Sequence, residues 1–70
     1  LRRFNLRRLD DETGISGVGI VTEGVQFTDG SCAMRWMTST SSVCFYKSIA
    51  DVIIIHGHGG KTVVEWQDDE

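Results

Sequence analysis

A chain of 70 residues has room for one domain and no second core. Hydrophobic residues make up 40% and charged residues 24%, ordinary globular usage that argues against a disordered chain. The apolar run Val52-Ile53-Ile54-Ile55 is far too short for a membrane span, and a net charge of −3 with a pI near 5.2 argues against a basic nucleic-acid-binding domain.

Residues 2–9 alternate around Phe4 and Leu6, which predicts a first strand with one buried face. Residues 10–17 are polar and turn-rich and read as a loop. Val18, Ile20 and Thr22 share one parity, and Val25 and Phe27 share the other. The slip falls at Glu23-Gly24 and predicts a bulge or sharp bend there. Thr28-Asp29-Gly30-Ser31 predicts a hairpin turn, because Asp-Gly tolerates positive φ. Cys32, Met34 and Trp36 then alternate with Ala33, Arg35 and Met37 in a third strand. A hydroxyl-rich loop follows over residues 38–42. Val43 and Phe45 share one face of a short fourth strand, with Cys44 and Tyr46 on the other. Trp36 and Trp66 are expected in the core, and Tyr46 is the expected exposed contact.

The period changes at Ser48-Ile49-Ala50-Asp51. Ser48 is placed to cap a helix, with Asp51 at its third position. Ile49, Val52, Ile53 and His56 fall on one helical stripe, and Gly57 suits a left-handed C-terminal cap. Residues 62–66 form the last strand, with Val64 and Trp66 inward. Five strands, a long bent second strand and one short helix between strands 4 and 5 predict a small SH3-like or rolled five-stranded β-barrel spanning residues 1–70, with an acidic tail at 67–70. Closure would remove exposed edges.

Such a roll makes the first and last strands neighbours. Arg3 and Arg7 then meet Glu65 and Asp69 across the ladder, so the basic start and acidic end neutralise each other. The competing reading is a nucleic-acid surface made of Arg2, Arg3, Arg7, Arg8 and Arg35. Cys32 and Cys44 lie in apolar strands and lack a CxxC spacing. They read as reduced thiols in a cytoplasmic protein. The chain opens on Leu1 rather than Met and shows no secretory signal.

The unusual string is His56-Gly57-His58-Gly59-Gly60-Lys61. Its glycines let backbone amides form a concave nest for an anion, with Lys61 beside it. The expected ligand site is His56, His58, Gly59, Gly60, Lys61 and Tyr46, taking a phosphate, a nucleotide or a carboxylate. A purely structural reading competes: a helix end and tight turn, with His56 packed in the core and His58 at the surface. Two imidazoles are too few ligands for a metal. No nucleophile elbow, dinucleotide fingerprint or P-loop is present, so no enzyme and no cofactor is expected.

Gly14-Ile15-Ser16-Gly17-Val18-Gly19, then Glu23-Gly24-Val25-Gln26-Phe27-Thr28-Asp29-Gly30, Arg35-Trp36, and Ser48 to Val52 leading into Ile55-His56-Gly57-His58-Gly59-Gly60-Lys61-Thr62 together resemble a family of small stand-alone proteins from bacteria, haloarchaea and phages. The likeness runs over nearly the whole chain. It implies a compact β-rich domain and no assigned activity. Ile53 and Ile54 depart from the family's pattern, which implies a wider apolar surface and an oligomer contact. The expected function is a non-enzymatic, self-associating binding protein. Residues 48–61 would contact a partner or small anionic ligand. The alternatives are a phage sponge that sequesters a nucleotide signal and a nucleic-acid-binding barrel.

Overall fold

The computed structural model describes residues 1–9 and 19–68. Its strands are β1 (Arg2–Arg8), β2 (Gly19–Gln26), β3 (Cys32–Trp36), β4 (Val43–Tyr46) and β5 (Thr62–Trp66). Helix α1 (Ile49–His56) and a 3-10 turn at His58–Gly60 lie between β4 and β5. The loop expected at 10–17, Val18, and Asp69 and Glu70 of the tail lie outside the described residues.

All strand pairs are antiparallel, in the order β4-β3-β2-β1-β5. β4 and β5 are opposite edges, so the sheet is not the closed barrel that the sequence suggests. The chain instead crosses from one edge to the other through α1. The helix buries Val52 among Phe4, Leu6, Cys32 and Met34, filling one face of the sheet with a second layer. That layer covers the apolar face that closure would otherwise have to hide.

Strand parity sets the two faces. Register puts Phe4 opposite Gly24 and Trp66, and Leu6 opposite Thr22 and Val64. These residues, with Met34, Cys44, Cys32 and Tyr46, face α1. Arg3, Asn5 and Arg7 of β1 face the other way, with Glu23, Val25, Ala33, Arg35, Val43 and Phe45. This second face carries no helix among the described residues.

The irregularity in β2 is not at Glu23-Gly24. Leu6 pairs with Thr22 and Arg7 with Ile20, so Val21 is the extra residue. Val21 and Thr22 are both buried, and the Leu6 N–H donates to Thr22 Oγ1 at 3.2 Å. The threonine hydroxyl replaces a ladder carbonyl at the bulge. Gly24 serves a different purpose. A Cβ there would lie 2.6 Å from Phe4 Cζ and 2.9 Å from the Ala33 carbonyl oxygen. Glycine leaves room for the Phe4 ring.

The β2–β3 hairpin forms as expected. Gly30 has φ +92°, its N–H donates to Phe27 O, and Asp29 Oδ1 accepts from the Ser31 N–H and hydroxyl. Ser48 caps α1 by accepting from the Asp51 N–H at 3.2 Å. Val52 faces the core, and Ile49 and His56 are half-buried, but Ile53 is exposed. The apolar stripe is thus narrower than the sequence predicts. Gly57 is not a left-handed cap, since its φ is −70°. A Cβ there would collide with the Ile53 carbonyl oxygen, so close packing rather than backbone freedom demands glycine.

Candidate functional site

The His–Gly corner is ordered by its own backbone. Gly57 N–H donates to Ile53 O, Gly60 N–H and Thr62 N–H to Gly57 O, and Lys61 N–H to His58 O. Lys61 O in turn accepts from the Leu9 N–H at 2.7 Å. His58, Gly59 and Gly60 all take positive φ, of 48°, 65° and 96°. The amides of Gly57, Gly60, Lys61 and Thr62 are therefore spoken for, which shrinks the nest that the sequence suggests. His58 is exposed.

His56 and Tyr46 do meet, but inward. The Tyr46 hydroxyl and His56 Nε2 share a hydrogen bond of 2.7 Å, and the Trp36 ring stands edge-on to the imidazole at 5.1 Å. Burial pushes the His56 pKa down, helped by His58 and Arg8. Burial likewise raises the Tyr46 phenol, with Cys44 adding to it. Tyr46 is half-buried on the helix side of β4, because residue 46 shares parity with Cys44 and lies opposite Cys32. It is not the exposed contact expected from the sequence. Phe45, on the other parity, is 76% exposed.

The N-terminal arginines split by parity. Arg2 stacks on the Trp66 ring at 3.8 Å and donates from Nε to Asp68 O. Arg8 shares the helix-side parity of β1. Arg3, Arg7 and Arg35 reach the other face, each against a carboxylate. Arg3 makes a two-pronged contact with Asp68, Nε to Oδ2 at 2.9 Å and Nη2 to Oδ1 at 2.8 Å. Arg7 Nε donates to Glu65 at 2.6 Å, and Arg35 Nε to Glu23 at 2.9 Å. The Arg7–Glu65 pair is the one the sequence predicts. Asp68 takes the place expected of Asp69, and its bonds to Arg3 hold its carboxyl well below the usual carboxylate range. Ion pairs this exposed stabilise weakly; their effect is to hold the guanidinia in place.

Between Arg3 and the Arg35–Glu23 pair lies a trough of about 580 Å³ on the helix-free face. That volume is within the range of small-molecule sites, about 300–1,000 Å³. Val25, Ala33 and Val43 give it apolar lining, Arg3 and Arg35 bound it from β1 and β3, and Asn5, Glu23 and Gln67 complete the polar lining. Asn5 Nδ2 donates to Thr22 O, and Arg35 Nη1 donates to Ser41 Oγ at 3.1 Å. The bonds described use two of the five N–H donors of Arg35.

Sequence reading singles out Arg3 and Arg35 but misses Asn5, Glu23, Val25, Ala33, Val43 and Gln67. The available signal is parity: residues out of phase with Phe4, Met34 and Cys44 share the opposite face. Among the described residues no group of three or more His, Cys, Asp or Glu side chains is placed to hold a metal ion. No helix among them is long and apolar enough to cross a membrane.

A family model described as Acb5 phage protein matches residues 1–68. No match to a curated protein or to a solved structure was found.

Proposed function

Because the chain belongs to the Acb5 phage protein family, we propose that it is a sponge, a phage protein that binds and sequesters a nucleotide signal without transforming it. Acb proteins are anti-CBASS phage proteins, directed against a bacterial defence. The observation that carries the reading is the trough. Two guanidinia held on separate strands supply charge-assisted bonds for phosphate oxygens. Val25, Ala33 and Val43 offer an apolar surface to a base, and Asn5 and Gln67 offer amide groups to its edge. Glu23 and Asp68 keep the guanidinia oriented. A phosphate displaces or shares these contacts, so affinity falls as salt rises.

The test is a melting screen with mono-, di- and cyclic nucleotides, followed by recovery of the ligand from denatured protein. Ligand at 100-fold over its Kd stabilises a folded state by about 2.7 kcal/mol, which raises the melting temperature of a domain this size by roughly 10–20 °C. The ligand is recovered with its mass unchanged. Arg35→Gln weakens the shift, and His58→Ala keeps it. A screen with no shift removes the sponge reading. A shift abolished by His58→Ala but not by Arg35→Gln moves the site to the His–Gly corner.

A further inference from the structure

We propose that the β4 edge is an interface for a second copy of this chain, and that the pairing completes the trough. β4 ends the sheet, with no strand beyond it among the described residues. An edge strand presents backbone donors and acceptors to whatever comes alongside, and proteins that must stay apart blunt such edges with charge, proline or bulges. Val43-Cys44-Phe45-Tyr46 has none of these. Its outward pair is apolar and open, with Val43 55% and Phe45 76% exposed. The opposite edge, β5, carries a charged side chain, Glu65, on the strand itself, one of the devices that blunt an edge. Only one edge therefore suits self-association, which favours a closed pair over a fibre.

Symmetry limits the register, and mutual cover of the exposed Val43 and Phe45 side chains selects one. Two copies of one strand pair antiparallel about a two-fold axis perpendicular to the sheet, and residues directly opposite share a face. Centring the axis on Cys44 sets Cys44 against the partner's Cys44. Val43 then stands opposite Phe45 of the partner subunit, and the match repeats on the other side of the axis. Both apolar side chains are covered by this reciprocal contact. The helix-free faces of the two sheets stay on the same side. Val43 lines the trough. Phe45 from the second copy extends that wall, and the two troughs lie side by side on the same face, related by the axis. The interface stands on the edge itself; the statement that it completes a ligand site rests on the sponge reading.

Sedimentation velocity of the full chain across micromolar to millimolar concentrations tests the interface. The expected mass is twice 7.8 kDa, falling to the single-chain value in Phe45→Lys with an unchanged circular dichroism spectrum. Mild oxidation by copper phenanthroline gives an independent readout. Opposed residues in this register sit about 4.5–5.5 Å apart at Cα, inside the window for a disulfide. Two thiols lose two protons and two electrons to the oxidant, and the chain runs as a covalent dimer whose linked peptide joins Cys44 to Cys44. Cys44→Ser abolishes the link, whereas buried Cys32 takes no part. A single-chain mass at every concentration overturns the proposal. So does a dimer that survives Phe45→Lys, or an oxidised dimer with no Cys44–Cys44 peptide. Nucleotide binding is read separately by the melting screen. A Cys44-linked dimer that binds no nucleotide upholds the interface and removes the sponge reading. A monomer that binds nucleotide does the reverse.

Discussion

Gly24→Ala sets two effects of opposite sign against each other. Alanine restricts the unfolded chain, and at a compatible backbone position this stabilises by about 0.4–1 kcal/mol. Gly24 lies outside the left-handed region, so its backbone is compatible. The added methyl, however, arrives 2.6 Å from Phe4 Cζ and 2.9 Å from both Phe4 Cε1 and the Ala33 carbonyl oxygen. Phe4 is 1% exposed and also packs edge-on against Trp66 at 5.5 Å, so the ring has nowhere to retreat. The carbonyl belongs to the β2–β3 ladder and moves only with the sheet. Overpacking of this kind costs about 1–3 kcal/mol, which outweighs the chain-entropy gain. The net loss of roughly 1–2 kcal/mol lowers the melting temperature by about 5–15 °C in a domain of this length. Thermal denaturation followed by circular dichroism measures it. Phe4→Leu removes the ring, so Gly24→Ala costs less in that background than in the wild type. An unchanged or raised melting temperature in the single variant refutes the account of Gly24 as space for the ring.

Two buried threonines respond differently to loss of the hydroxyl. Thr22→Val leaves the Leu6 N–H without its acceptor and destabilises by about 1–3 kcal/mol, whereas Thr62 Oγ1 has no partner among the described residues and Thr62→Val is neutral or stabilising in urea titration. His56 resists protonation when folded, but the unfolded chain accepts a proton near the ordinary imidazole value of about 6.5. Unfolding therefore takes up a proton below that value, so stability climbs as pH rises toward it and levels above. Melting temperatures measured from pH 5 to 8 show this slope, and His56→Gln flattens it.

Local pattern carries much of this fold. Alternation around Phe4 and Leu6, the Asp29-Gly30 turn and the Ser48 cap are each set by neighbours in sequence, and each forms where those neighbours predict. The openness of the sheet is not local. It depends on whether β4 meets β5 or α1 covers the face between them, and periodicity is silent on that choice. The bulge is misplaced because Ile20 and Thr22 read as neighbours on one unbroken face, whereas Val21 is the extra residue between them, and Val21 and Thr22 both bury while the Thr22 hydroxyl takes the Leu6 N–H. Gly24 reads as a bend because the sequence does not reveal that Phe4 lies across the strand from it. The glycine string draws attention to the corner, yet several of its amides satisfy the turn itself. The trough escapes notice because Arg3 and Arg35 sit on strands separated by β2 and come to one face only through register.

The placement of β1 has a further consequence. Its two neighbours are β2, next along the chain, and β5, the last strand, with Arg7 bonded to Glu65 across most of the polypeptide. During synthesis a β1–β2–β3–β4 sheet is able to assemble early, but one side of β1 stays bare until residue 66 has cleared the ribosome. Contacts so distant in sequence close slowly. A chain stalled or cut short before β5 would expose Phe4 and Leu6 beside an unfinished edge. That makes the final strand the latch on which quality control of a nascent chain would act.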